Sequence, residues 1–379
     1  KENSDINRAL QNGGAIHLKH SHATVDAGDG ISSGEAFAIS RERTQIITEN
    51  GLYNKLVNIY AKNHDATVGK ILNAMIRETA LQLPKNGLVV DFSDGISQAD
   101  VLAIDTELYF NPKADKRVIA MAVAEIQDNE NNNDRINQAV VTGGVVLLAH
   151  LGGGMVLDAS DGISAAENLA ATIERQIMSK KNAMLSNFAQ VYARTGDPKV
   201  GEILKAAVTD GAVRLQNGRT VVDFSDGLDQ DEVAAIKREL DPRIWNGILE
   251  PSAKPNRLFN QVIQMLQDNE HREKQINRAL RDGGAVTLTH IGGGVILDAS
   301  DGIGAAENLA ISLERQIMSK ENAFLGNFAQ IYARTGDQTV GRLLKAAIDG
   351  SAVMMEKSHS LVDFSDGLDK DEVAAIKRE

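Results

Sequence analysis

The chain has 379 residues, 42% hydrophobic and 24% charged, a composition typical of a globular protein rather than a disordered or collagen-like one. Its 52 acidic and 40 basic residues give a net charge of −12, which argues against nucleic acid as a partner. Cysteine is absent, so disulfides, thiolate metal sites and a cysteine nucleophile are excluded. No apolar run reaches the about 18 residues of a transmembrane helix.

The predicted elements recur along the chain. Residues 136–239 align without a gap on residues 276–379, and 69 of these 104 positions are identical. The segment from Ile6 onward is a third, more divergent copy. Such self-similarity predicts tandem repeats. We therefore expect three of them, at residues 1–133, 134–273 and 274–379, the last one truncated.

A shorter period lies inside each long repeat. The chain reads Asp-x-x-Asp-Gly followed by Ile or Leu six times, with starts 65 to 75 residues apart, at Asp26, Asp91, Asp158, Asp223, Asp298 and Asp363. Each long repeat therefore consists of two related units of about 65 residues, an A unit followed by a B unit.

The second A unit shows how one unit is built. Its β-rich run at residues 145–150, a glycine turn and a return at residues 155–158 predict a hairpin. Ser164 and Glu167 form a capping-box pattern that begins a long helix with apolar residues on one face. Gly196 is predicted to end this helix, and Asp197-Pro198 to begin a second one.

These patterns predict an α+β fold made of tandem β-hairpin–helix–helix units. We expect A and B units to pair into domains of about 130 residues, because an isolated hairpin is only marginally stable. A continuous α/β solenoid is the alternative. The Pro-containing connection at residues 241–255 is the predicted flexible joint, and the charged stretches 128–134 and 268–274 are predicted to be solvated linkers or helix ends.

The six acidic turns are the chemistry that all units share, with Asp at positions 1 and 4, Gly at 5 and an acid at 10. One interpretation is a Ca²⁺ site, because calcium takes six to eight oxygen ligands. The turn resembles an EF-hand loop over about ten residues, but its register differs and a strand precedes it, so no membership of that family follows. The predicted calcium ligands are Asp26, Asp29, Glu35, Asp91, Asp94, Asp100, Asp158, Ser160, Asp161, Glu167, Asp223, Ser225, Asp226, Glu232, Asp298, Ser300, Asp301, Glu307, Asp363, Ser365, Asp366 and Glu372.

The other interpretation of the same turn is structural. Asp at position 1 would accept backbone N–H groups of its own turn, Gly at 5 would take a positive φ, and the acid at 10 would complete a capping box. The residue at position 7 would cap the helix, with Gly304 a weaker cap; these are Ser32, Ser97, Ser164, Asp229, Gly304 and Asp369. This interpretation leaves the Asp at position 4 without a role.

Three further motifs resemble catalytic or metal-binding patterns. Gly30-Ile-Ser32-Ser-Gly34 matches a nucleophile elbow, although an N-cap explains the serine better. His17, His20 and His22 offer imidazoles for Zn²⁺ or Ni²⁺, although a solvated polar hairpin is favoured. His150 and His290 are each followed by one apolar residue and then three glycines. This pattern resembles an oxyanion-hole loop but is better explained as a hairpin tip.

We expect a non-enzymatic structural or adhesive repeat protein, bacterial and secreted or on the cell surface, stabilised by Ca²⁺ and self-associating through its repeat ends. An active site seldom occurs six times in one chain, which is why repetition favours binding or architecture. The expected partners are other proteins or copies of itself, with no nucleic acid and no membrane span. One alternative is a cytoplasmic protein-binding scaffold. Another is an enzyme with a site in a hairpin groove near His20, His150 or His290.

Overall fold

The computed structural model describes residues 2–19, 24–28, 30–31, 33–93, 95–152, 154–215, 220–240, 257–291, 294–357, 359–364 and 370–378. Within these residues the chain forms helices and small two-stranded antiparallel hairpins. The predicted α+β class is confirmed. The predicted joint at residues 241–255 lies outside the described residues.

The described strands pair only with their neighbours in sequence. They are β1 (Ala15–His17) with β2 (Thr24–Asp26), β3 (Ala80–Gln82) with β4 (Val89–Asp91), β5 (Val145–Leu147) with β6 (Val156–Asp158), β7 (Ala212–Arg214) with β8 (Val221–Asp223), β9 (Ala285–Leu288) with β10 (Val295–Asp298), and β11 (Ala352–Met354) with β12 (Leu361–Asp363). Side chains alternate between the two faces of a strand. In β4, Val90 is buried while Val89 and Asp91 are exposed. Asp91, the first Asp of this acidic turn, therefore lies on the solvent-exposed face of the hairpin.

Long and short helices follow the hairpins in order. They are α1 (Glu2–Asn12), α2 (Ser33–Asn63), α3 (Ala66–Arg77), α4 (Gln98–Leu108), α5 (Lys116–Thr142), α6 (Ala165–Thr195), α7 (Pro198–Val208), α8 (Gln230–Glu239), α9 (Arg257–Asp282), α10 (Ala305–Thr335), α11 (Gln338–Asp349) and α12 (Lys370–Arg378). A 3₁₀ turn, Phe224–Asp226, follows β8.

Local sequence signals account for many helix ends. The Asp197 carboxylate accepts the N–H group of Lys199 at 2.8 Å, and Pro198 is the first residue of α7, as predicted. Gly196, with φ of +63°, ends α6 because its N–H group donates to the Tyr192 carbonyl in a left-handed conformation that favours glycine. Both predictions for this helix boundary are confirmed.

The prediction for the two charged stretches is wrong. Residues 128–134 lie inside α5 and residues 268–274 lie inside α9, so they are helical rather than linkers. The reason is a buried amide pair: Asn129 donates to the side-chain oxygen of Asn182 at 2.8 Å. Asn269 donates in the same way to Asn322 at 2.8 Å. Tertiary hydrogen bonds satisfy polar side chains that look solvent-exposed in the sequence.

Long and short helices approach each other closely at a glycine. A Cβ atom on Gly201 of α7 would lie 2.7 Å from the ring of Tyr192 in α6. The corresponding distances are 3.0 Å for Gly69 against Tyr60 and 2.9 Å for Gly341 against Tyr332. The Tyr192 hydroxyl also accepts the N–H group of Asp115 at 2.9 Å, which fixes the ring in place.

The chain divides into two compact bodies. The first comprises residues 1–146, 179–225 and 231–250, and the second comprises residues 147–178, 226–230 and 251–379. Buried residues of one core cluster in the first body include Leu56, Ile71, Leu83, Val90 and Ile104. A cluster in the second body consists of Ile276, Leu288, Leu297, Ile311 and Met318. The division into three repeats stays a prediction.

Candidate functional site

The first carboxylate of each described acidic turn accepts a hydrogen bond from its own turn. Oδ1 of Asp158 accepts the N–H group of Ser160 at 3.0 Å and its hydroxyl at 2.6 Å. The same backbone bond measures 2.9 Å for Asp26–Gly28 and 3.0 Å for Asp91–Ser93, Asp223–Ser225 and Asp298–Ser300. This is the Asx-turn geometry that a structural role requires.

The hydrogen bonds of these turns change the acidity of three exposed carboxyls. The Ser160 hydroxyl and then its N–H group lower the pKa of Asp158 below its ordinary 3.8, and Ser300 does the same for Asp298. For Asp91 the backbone N–H group of Ser93 is the largest cause of the lowered pKa. Hydrogen bonds donated to a carboxylate favour its ionised form.

The acid at position 10 accepts backbone hydrogen bonds from its own turn, and Glu167 does so at two points. Oε1 of Glu167 accepts the N–H group of Asp158 at 3.1 Å, and Oε2 accepts that of Ser164 at 3.0 Å. Equivalent bonds measure 3.0 Å for Glu35 with Asp26, 3.0 Å for Asp100 with Ser97, 3.1 Å for Glu232 with Asp223, 2.8 Å for Glu307 with Gly304 and 2.7 Å for Glu372 with Asp363. The acid therefore holds the end of the hairpin and the start of the helix together.

The Asp at position 4 differs from the other repeated acids. Asp161 and Asp301 are exposed, and neither has a hydrogen bond or ion pair within the described part of the chain. Asp29, Asp94, Ser365 and Asp366 and the side chain of Asp226 lie outside the described residues. Across the described ranges, no three His, Asp or Glu side chains are arranged so that they could hold a metal ion.

A further repeated position, which the sequence analysis did not identify, carries a glutamate that is buried in the described units. Sixteen residues after the first Asp of each turn stands Glu42, Glu107, Glu174, Glu239, Glu314 or Glu379. Of these, Glu42, Glu107, Glu174 and Glu314 are 0% exposed and Glu239 is 6% exposed. The invariant spacing within the chain was a signal that could have predicted this position, because a repeated ionisable residue on the apolar side of a helix needs a partner.

In the units of Glu107, Glu174 and Glu314, the buried glutamate holds the loop between the two strands of the hairpin. Oε2 of Glu107 accepts the N–H groups of Lys85 and Asn86, both at 2.9 Å. Glu174 accepts the N–H groups of His150 at 3.0 Å and Leu151 at 3.0 Å. We call this arrangement the loop clamp. Several backbone donors stabilise a carboxylate that would otherwise be costly to bury.

Two loop clamps include a histidine ring. Nδ1 of His150 is 2.9 Å from Oε1 of Glu174, and Nδ1 of His290 is 2.8 Å from Oε1 of Glu314. A carboxylate on one ring nitrogen fixes the orientation of an imidazole, as it does in many catalytic and metal sites. Here the histidines bind the clamp glutamates at the hairpin loop. This arrangement agrees with the interpretation of the two His-containing motifs as hairpin tips.

The remaining histidine and serine motifs are only partly described. His17 is in β1, where its Nδ1 lies 3.3 Å from the hydroxyl oxygen of Thr24 in the paired strand. His20, His22 and Ser32 lie outside the described residues. The metal and nucleophile interpretations of these motifs stay predictions.

Two glutamates from later helices cap the start of an earlier helix. Glu130 of α5 accepts the N–H group of Gln98 at 2.7 Å, and Glu270 of α9 accepts that of Ala166 at 3.1 Å. Burial raises the pKa of Glu130, and the charges of Asp100 and Asp134 act in the same direction, against the hydrogen bonds from Gln98 and Ala99. Both caps lie in the stretches predicted as linkers, so sequence reasoning missed them.

A cleft of about 970 Å³ lies within the second compact body. The acidic turn from Asp158 to Glu167 forms one wall, and residues of α9 and α10 form the others. Glu273 and Arg315, which face this cleft, form an ion pair at 3.1 Å. Most of the residues that line it are polar or charged.

None of the family models, curated proteins or solved structures compared with this chain matches it. Among the helices in the described ranges, none combines the length and apolar character needed to cross a bilayer.

Proposed function

We propose that this chain is a non-enzymatic structural repeat protein in which the acidic turns set the position of each hairpin on its helix. It would act by presenting repeated hairpins and helices to other proteins or to copies of itself. A and B units would pair into domains of about 130 residues, and a secreted or surface location belongs to the same proposal. The cytoplasmic scaffold is the alternative, and its stability would be equally independent of calcium.

This proposal rests on which groups donate hydrogen bonds to the repeated carboxylates. The described carboxylates at positions 1 and 10, and the buried glutamates of the loop clamps, accept backbone N–H groups of their own unit. A catalytic or ligand-binding acid would instead direct its oxygens toward a substrate or ion. Local backbone satisfaction is what a repeated architectural element needs.

Calcium is the competing role for these turns, and thermal melting of the full chain distinguishes the two. A ligand that binds only the folded state would raise the melting temperature. If the turns bind no calcium, as we propose, the melting temperature should be the same in millimolar Ca²⁺ and in a chelator. The matched variant is Asp161→Asn with Asp301→Asn, which removes two acids that make no hydrogen bond in the described chain. A calcium-dependent rise that this variant abolishes would establish the cation site and overturn the structural role.

Self-association is tested by sedimentation of the full chain over a wide concentration range, with and without Ca²⁺. We expect a mass above that of the 40.8 kDa monomer as the concentration increases. A monomer at every concentration would limit the proposal to partners other than the chain itself.

A further inference from the structure

His290 lies between two carboxylates of α10. Its Nδ1 is 2.8 Å from Oε1 of Glu314, and its Nε2 is 3.4 Å from Oε2 of Glu321. Glu314 also accepts the N–H groups of Thr289 at 2.9 Å and Ile291 at 3.1 Å. An imidazole donates from both nitrogens only when it is protonated. In the neutral ring, one nitrogen would present a lone pair to a carboxylate.

The preceding copy of this sequence offers a natural comparison, 140 residues earlier. His150 makes the same contact with Glu174, at 2.9 Å. Where the later copy has Glu321, the earlier one has Lys181, whose ammonium group lies 2.7 Å from Glu125 and 2.9 Å from Asp210. The chain therefore contains one loop clamp with a second carboxylate on its histidine and one with a lysine at that position.

We propose that His290 is a pH switch that, when protonated, adds a side-chain tie from the hairpin loop after β9 to Glu321 of α10, and loses this tie when it is neutral, while the backbone bonds of the loop to Glu314 remain. The tie extends to α9, because Asn269 donates to Oε2 of Glu321 at 3.1 Å. The charged groups that face the ring are Glu314 and Glu321 from α10 and Arg272 from α9, whose Nη1 lies 3.4 Å from Nδ1. Arg272 opposes protonation, and the two carboxylates outweigh it.

The direction of the pH dependence follows from the acidities. The hydrogen bond with Glu321 is the largest cause that raises the pKa of His290 above its ordinary 6.5, against burial and together with Glu314. Its contribution to stability is therefore complete below pH 6.5 and is lost as the pH rises through the folded-state pKa. The hydrogen bond from His290 lowers the pKa of Glu321 below 4.5, so that contribution is lost as the pH falls below 4.5. The switch opens on the alkaline side.

The experiment follows the imidazole of His290 by NMR in the full chain while the pH is raised. We expect a titration midpoint above 6.5 in the wild type and a lower midpoint in Glu321→Gln, which keeps the shape of the side chain but removes its charge. Thermal melting in parallel should fall by roughly 2–4 °C between about pH 6 and about pH 8.5 in the wild type, and by less in the variant.

His150→Gln is the matched control, because the loop clamp of His150 has Lys181 at the position that corresponds to Glu321. We expect His290→Gln to reduce the slope of melting temperature against pH by more than His150→Gln does, because only His290 has a second carboxylate. A wild-type midpoint for His290 at or below 6.5, or a midpoint that Glu321→Gln does not move, would overturn the proposal. The wild-type titration alone decides the matter if a variant does not fold.

Discussion

At the scale of single residues, two glutamates of the first compact body both accept backbone N–H groups, but Glu107 is fully buried and Glu130 is only partly buried. Glu107 holds the loop at Lys85 and Asn86 with N–H donors on both carboxylate oxygens. Glu130 caps α4, but burial and neighbouring acids raise its pKa. Three backbone hydrogen bonds offset the cost of burying the Glu107 carboxylate, whereas burial disfavours the charged form of Glu130.

Glu107→Gln should therefore destabilise the chain. The amide nitrogen of glutamine would face backbone N–H groups, and leaving such a buried donor unsatisfied costs about 1–3 kcal/mol. The measurement is the free energy of unfolding in urea at neutral pH. A variant as stable as the wild type would show that the clamp contributes nothing.

Glu130→Gln is the control for that experiment, and we expect a change of less than about 1 kcal/mol. Glutamine keeps an acceptor for the N–H group of Gln98, which lies at 2.7 Å, and it removes the repulsion with Asp100. Equal losses in both variants would contradict the distinction between the two sites.

The residue scale also shows what the sequence could and could not predict. The Asx-turn and the capping box involve residues two to nine positions apart, so their geometry was predictable from a short window. The loop clamp joins residues 21 to 25 positions apart, and only the repeat spacing could have revealed it. The Asn129–Asn182 pair spans 53 positions, and no local pattern predicts such a bond.

At the scale of secondary-structure elements, glycine has opposite effects in two helices. Gly201 allows α7 to approach Tyr192, and a Cβ atom there would come within 2.7 Å of the ring. Gly326 lies in α10, where an added Cβ would meet nothing within 4 Å. Helix propensity alone favours alanine at both positions by up to about 1 kcal/mol.

Gly201→Ala should lower the melting temperature, because the overlap with Tyr192 must separate two packed helices, and overpacking costs about 1–3 kcal/mol. Gly326→Ala should raise the melting temperature, since only the gain in propensity acts there. Both follow from calorimetry under one set of conditions. Stabilisation by both substitutions would mean that the tyrosine ring moves aside without cost.

The sequence predicts a helix boundary correctly where a single residue ends the helix. The prediction is wrong where tertiary contacts keep a polar stretch helical. Gly196, Asp197 and Pro198 fix the break between α6 and α7 by backbone conformation alone. The Asn-rich part of α5 has weak helix propensity, yet it stays helical because Asn129 is buried against Asn182. A propensity argument has no access to that partner.

At the scale of the whole molecule, the acidic turns affect stability in acid. Because the pKa values of Asp158 and Asp298 are lowered below 3.8, their contribution is present above that pH and is lost as the pH falls further. The serine hydroxyls at positions 160 and 300 are the largest causes of this lowering.

Removing both hydroxyls, by Ser160→Ala with Ser300→Ala, should shift acid unfolding to higher pH. The carboxyls would lose the larger of the two hydrogen bonds that lower their pKa values, keep the one from the backbone N–H group, and take up protons earlier during acidification. Circular dichroism during an acid titration measures the midpoint, and the melting temperature at neutral pH serves as the internal reference. An unchanged midpoint would show that these turns do not limit stability in acid.

The loop clamp has a consequence for how the chain folds. The Asx-turn, the capping box and the clamp of one unit all close within 24 residues of sequence. Contacts between residues so near in sequence form quickly, because little chain entropy is lost in closing them. Each hairpin can therefore meet its helix while later segments are still emerging from the ribosome, which limits mispairing between copies of similar sequence.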